Sequence, residues 1–400
     1  MLRTGAVLAL TLLVGCGESS DAGDPQDPRN VSPASAQDTT AVAAWRMAPE
    51  PRLTLGDRDD DPMHAFRAVN LAARLTNGDL AVVDWRLDPH VRYFDNLGNS
   101  IGSAGPDGAG PGEIRNARSS TRGQGDTLHV WDPTTDRLTS YAGRGELVGT
   151  TALDTRDLPM AGGGMPVFTP MYIHGVGDGS LAVEPVTYGG PIPADDGVYQ
   201  PRTVLPLYRA DGERAGVVDS ILGSEMFWFQ RGGDFRPYGA VLRITGGGGR
   251  LFVSTGTEPA IRVHGGGGRL ERLVPLPWKP LSVGAAEAAA YREARVLRMA
   301  ESARDIVRRQ LDAAPFPDHM PYHRLLLAGR DGSLWVERYG GPERTEREWA
   351  VLHADGRWIA RLTMPLAQEP LEAGADYVLV RERDDMGREL VRLYDLITGD

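Results

Sequence analysis

The chain has 400 residues, with 43 Lys or Arg against 54 Asp or Glu and a formal charge of -11. That balance excludes general binding to nucleic-acid phosphates, which needs a basic face. A 41% share of hydrophobic residues is enough for a core, while the one cysteine excludes an internal disulfide and a cysteine-based metal cluster.

At the N-terminus, Arg3 is followed by an apolar run from Gly5 to Val14. The run is too short to span a bilayer, which takes about 20 apolar residues. It closes on Leu13-Val14-Gly15-Cys16, which resembles the bacterial lipobox. The resemblance implies cleavage before Cys16 and lipid on its sulfur and new amino group. Residues 1–16 are thus expected to be a lipoprotein signal peptide. The expected location is the bacterial cell envelope, lipid-anchored and extracytoplasmic, on the periplasmic or outer-membrane face. Residues 17–44 follow, with Glu18, Asp21, Asp24, Asp27 and Asp38 against Arg29 and hardly a large apolar side chain. Such a segment reads as a disordered acidic tether.

From residue 45 to 400 one unit recurs: a Gly/Asp/Asn turn, an apolar strand, a polar break, and a second apolar strand. Copies open at Asn77-Gly78, Gly125-Asp126, Gly177-Asp178, Gly248-Gly249, Asp331-Gly332 and Ala375-Asp376. Turns of this type supply the positive φ angles that tight hairpins need. One meander cannot bury both of its faces, whereas radial stacking of several can. The fold class expected is all-β, a six-bladed β-propeller of four-stranded antiparallel blades. The long stretch from Thr150 to Thr245 leaves room for a seventh. The last copy lacks an outer strand, and Pro51 to Leu55 (PRLTL) is expected to supply it and latch the ring. One inserted α-helix is expected at about 284–314, where helix formers run without proline until Pro315.

The lipobox, the GDLAVVD unit at Gly78–Asp84 and Gly110-Pro111-Gly112-Glu113-Ile114-Arg115 together resemble bacterial six-bladed propeller lipoproteins of the NHL-repeat kind. The likeness covers roughly residues 50 to 398 and speaks to architecture; propellers host lyases, lactonases, receptors and scaffolds alike.

Nucleophile-elbow, zinc-helix, Walker and EF-hand patterns do not occur in the sequence. His64, His174, His319 and His323 lie near predicted starts of blades, where metal-dependent propellers gather ligands from several blades. Asn70, Asn116 and Glu113 are conceivable members of a lactonase-type ion site, and Asp57, Asp59, Asp60 and Asp61 form an acidic loop. A more regular feature is an apolar–Arg pair before successive blade turns: Phe66-Arg67, Ile114-Arg115 and Phe235-Arg236, with His323-Arg324 out of phase. In a propeller these arginines are expected near one mouth of the channel, the apolar partner wedged between blades and the guanidinium groups facing an anion. The reading is a monomeric, membrane-tethered binding or interaction module for a protein, peptide or anionic ligand, with no cofactor. The alternative is a propeller hydrolase or lyase with calcium or zinc in its channel.

Overall fold

A computed structural model of the chain describes residues 42–154, 168–187, 195–230, 232–353 and 355–398. Cys16, the expected signal peptide and nearly all of the expected tether lie outside them. Six antiparallel meanders follow one another. Blade 1 runs through Val69–Arg74, Leu80–Asp84, Val91–Phe94 and Ser100–Ala104. Blade 2 uses Ser119–Arg122, Leu128–Asp132, Arg137–Ala142 and Glu146–Ala152. Blade 3 uses Phe168–Val176, Ser180–Thr187, Arg202–Tyr208 and Arg214–Leu222. Blade 4 uses Arg243–Gly247, Arg250–Ser254, Ala260–His264 and Leu270–Pro275, and blade 5 His323–Ala328, Leu334–Arg338, Glu346–Leu352 and Trp358–Pro365. Blade 6 takes Glu369–Ala373, Tyr377–Arg383 and Glu389–Ile397 from the C-terminus and Leu53–Leu55 from the N-terminus.

The first strand of each blade lies beside the first strands of its two neighbours, and the sixth returns to the first, so the ring closes. Six apolar clusters fill the six gaps. Phe66, Leu80 and Leu379 occupy the gap between blades 6 and 1, for example, and Trp131, Leu181 and Tyr208 the gap between blades 2 and 3. Second strands such as LAVVD and LHVWD are buried at every position, because a neighbouring blade covers each face. The outer strand of blade 5 alternates instead between buried and exposed positions. The inner turns repeat one bond: Gly78 donates its N–H to Leu75 O, Gly179 to Val176 O and Gly332 to Gly329 O. On the tight side of the ring the hairpins of blades 3 and 4 meet backbone to backbone. A Cβ on Gly246 would run into the carbonyl oxygen of Gly175, and one on Gly177 into Gly249.

The latch forms where the sequence places it, with Leu53 opposite Leu393 and Leu55 opposite Val391. A second clasp lies outside the expectation. Ala43–Met47 pairs in parallel with the outer strand of blade 5 (Ala43 with Ala360, Trp45 with Leu362). It then turns antiparallel to blade 6 (Arg46 with Ile397). Ala43 and Ala44, expected in the tether, therefore belong to the folded body.

The surplus chain around blade 3 builds no seventh blade among the described residues. It makes a small sheet of Gly197–Tyr199, Met226–Phe229 and Gly232–Phe235. The single expected helix is two: α1, Ala285–Leu297, and α2, Arg304–Ala313. Neither Gly nor Pro marks the break; Ala300 leaves the helical region at φ -55 and ψ 144. A continuous helix at 1.5 Å per residue would run about 45 Å. Folding back lets Val296 of α1 and Leu311 of α2 both be buried.

Candidate functional site

All six innermost strands run the same way along the channel, so their starts surround one mouth and their ends the other. The mouth at their ends encloses a cavity of about 300 Å³, and the charged groups on its rim are paired with one another. Arg122 and Arg330 both donate to Arg74 O, at 2.7 and 2.8 Å. The Arg74 N–H and Tyr377 hydroxyl donate to Glu372, at 2.8 and 2.6 Å, and Arg122 pairs with Asp126.

At the opposite mouth the charge is unbalanced. Glu337, near the end of the second strand of blade 5, is fully buried. Arg324 reaches it at 2.7 Å, Arg347 at 3.1 Å and Arg344 at 3.4 Å, three cations on one carboxylate. Arg243, at the start of blade 4, stands behind them and donates to Arg324 O at 2.8 Å. Burial, with Arg324 alongside, draws both Arg243 and Arg344 below the ordinary guanidinium range, though both stay cationic. Burial raises Glu337 against the opposing pull of Arg324 and Arg344.

In front of this cluster opens a cleft of about 280 Å³ between α1 and the loop after blade 5's second strand. Its walls include Tyr238, Tyr291, Tyr339, Arg298, Arg324 and Arg344. The rings of Tyr238, Tyr291 and Phe316 meet edge to face, with centroids 4.9 to 5.9 Å apart, and pin α1 over the mouth. Burial raises the Tyr291 and Tyr339 hydroxyls, so both remain donors at neutral pH. Arg295 is neutralised by Asp234 at 2.8 Å, whereas exposed Arg298 has no carboxylate partner among the described residues. The cleft thus offers planar cations and phenol donors beside aromatic rings, which suits a carboxylate or phosphate carried on an apolar or planar body.

Of the arginines expected at a mouth, Arg324 lines this cleft. Arg236 sits beside it, paired with Glu225 at 3.2 Å and donating to Pro315 O at 2.8 Å. Arg67 and Arg115 stand exposed at the starts of blades 1 and 2, on the same side of the disc but away from the cleft. Their recurrence has a backbone cause: the Arg67 N–H donates to Asp84 at 2.7 Å and the Arg115 N–H to Asp132 at 2.9 Å. Phe66 and Ile114 wedge between blades as expected, but Phe235 does not, being 42% exposed. Arg298, Arg344 and the three tyrosines escape a sequence reading, because they come from separate stretches with no shared spacing.

The histidines serve the frame. His64 accepts the Gly56 N–H at Nδ1 and donates from Nε2 to Gly98 O, both at 3.0 Å. His174 meets Glu184 at 2.9 Å and His323 meets Ser254 at 2.8 Å, while His319 is exposed and bridges to Ser282 through its backbone. Asn70 binds Ser120 and Ala117 O, and Glu113 accepts the Gly110 N–H. Among the described residues no group of three or more His, Cys, Asp or Glu side chains converges as metal ligands.

No family model matches the sequence, and no curated protein matches it. Similar solved structures share its fold. A DUF4221 member from Bacteroides vulgatus aligns with a TM-score of 0.53 at 10% identity, over 89% of this chain and 99% of its own. A protein of Bacteroides fragilis classed as exported gives 0.48 at 11%, over 92% and 98%. Virginiamycin B lyase from Staphylococcus aureus gives 0.40 at 10%, over 90% and 97%. The first of these supports the propeller architecture, and the likeness extends to fold alone.

Proposed function

We propose that the chain is a membrane-tethered, extracytoplasmic recognition propeller that takes an anionic ligand in the cleft under α1. In this reading lipid on Cys16 holds the protein at a bacterial envelope membrane, and residues 17–42 set the disc off the surface. Among the described residues no helix is long and apolar enough to cross a membrane. The observation that carries the binding role is the sharing of Glu337 by Arg324, Arg344 and Arg347 while Arg298 lines the same cleft with no carboxylate partner among the described residues. A carboxylate or phosphate seated there would relieve crowded cations and meet two forks at once.

Thermal unfolding of the full chain in detergent, titrated with citrate and with pyrophosphate, tests this. At a hundredfold excess over its dissociation constant a ligand adds about 2.7 kcal/mol, a rise of a few degrees. Sodium chloride at matched ionic strength should give no saturable rise, and the double variant Arg298→Gln, Arg344→Gln should lose it. An equal rise with chloride, or a rise that survives in the variant, would refute the assignment.

A further inference from the structure

Another hollow, of about 360 Å³, lies between blades 4 and 5 and shares no lining residue with the basic cleft. The register of blade 5 builds one side. Glu348 lies opposite Thr363 and Ala350 opposite Arg361, so these four share the face turned to blade 4. Arg338, on the neighbouring strand, reaches Glu348 at 3.5 Å. Ala350 leaves the floor shallow between these longer side chains. Trp278, just past the last strand of blade 4, and Trp358, opening the outer strand of blade 5, form the aromatic side. The Trp278 indole is held in place, donating its Nε1–H to Tyr322 O at 2.8 Å. Its ring meets Trp358 edge to face at 5.2 Å and 66°. The Arg361 guanidinium lies 5.9 Å from the Trp358 ring.

We infer that this hollow is a saccharide site that takes a hexopyranose ring. A pyranose has a C–H face that packs on an indole and a rim of hydroxyls that both donate and accept. The hollow supplies fixed indoles on one side and, on the other, donors from Arg338 and Arg361, a carboxylate from Glu348 and the Thr363 hydroxyl. A proline-rich peptide needs parallel aromatic ridges along an extended groove, and the crossed rings here offer a single face. The site is independent of the anion cleft.

Indole fluorescence of the full chain, titrated with maltohexaose, cellohexaose and chitohexaose, reads this directly. At least one should give a saturable change with a dissociation constant below about 1 mM. Trp358→Ala should weaken it at least about tenfold, and so should Glu348→Ala, whose exposed side chain can be removed without threatening the fold. Arg298→Gln, Arg344→Gln should leave sugar binding unchanged, which separates this site from the anion cleft. Absence of saturable binding by all three sugars, binding that persists in both the Trp358 and Glu348 variants, or saturation by a decaproline peptide instead would overturn the assignment.

Discussion

His323 is 2% exposed, its Nε2 2.8 Å from the Ser254 hydroxyl and its Nδ1 buried without a partner. Burial, helped by Arg243, pushes its pKa down to about 3 from an ordinary 6.5. His129, bonded to Ser140, is lowered by burial too. Below pH 6.5 the unfolded chain binds protons at these positions that the native chain refuses. Their contribution is therefore complete above 6.5 and drains away as the pH falls toward the folded values, by at most about 1.4 kcal/mol per pH unit for each. Other groups act lower. Asp126, Asp132 and Asp178 are depressed and lose their contribution below their ordinary 3.8, while raised Glu337 and Asp136 give the opposite slope above their ordinary 4.5 and 3.8. The loss of stability that sets in as the pH falls below 6.5 is therefore that of the histidines. Urea midpoints should fall between pH 7.5 and 5.5, and His323→Gln, though less stable at pH 7.5, should show a shallower fall. An unchanged slope in that variant would mean that His323 is solvated.

Among the elements, the three-residue strand Leu53–Leu55 carries a burden out of proportion to its length. Leu55 is fully buried in the cluster between blades 6 and 1, and Gly56 follows at φ +98, where an added Cβ would sit 2.7 Å from Glu389 O. Glu389 in turn accepts the Val69 N–H at 2.8 Å, so one short segment ties the last blade to the first. Leu55→Ala should cost about 2–5 kcal/mol in chemical denaturation, and deletion through Gly56 should cost more or prevent folding. A loss under about 0.5 kcal/mol would show that the ring closes without this strand. The latch was readable in the sequence because blade 6 visibly lacks a strand and PRLTL alternates. The clasp at Ala43–Met47 was not readable, since two alanines at the edge of a polar stretch carry no strand signal of their own. The break between α1 and α2 was hidden for a related reason. Nothing local forbids a helix through Ala300, and only burial of both Val296 and Leu311 selects the bend.

At the scale of the whole molecule, six gaps hold six apolar clusters, and the same pattern is written into the sequence six times. That redundancy is why the architecture could be read from residues alone. The cleft has none of it, because a tyrosine before blade 4, an arginine past α1 and another after blade 5's second strand become neighbours only once the ring has closed. The arginine repeat that did stand out marks Asp84 and Asp132 capping the backbone, and just one of its members, Arg324, reaches the cleft wall. The clasp also sets the geometry of the proposed anchor. Its first residue, Ala43, lies on the outer edge of blade 5, so the clasp joins the folded body at the rim of the disc. Lipid attachment and recognition should therefore separate cleanly. Cys16→Ser should move the protein from the membrane pellet to the soluble fraction and abolish incorporation of an alkyne-tagged fatty acid. Its melting temperature and the citrate-dependent rise should stay those of the parent chain. Retention in the pellet without label would place the membrane contact on the propeller itself, and a lost citrate response would tie the anchor to the cleft.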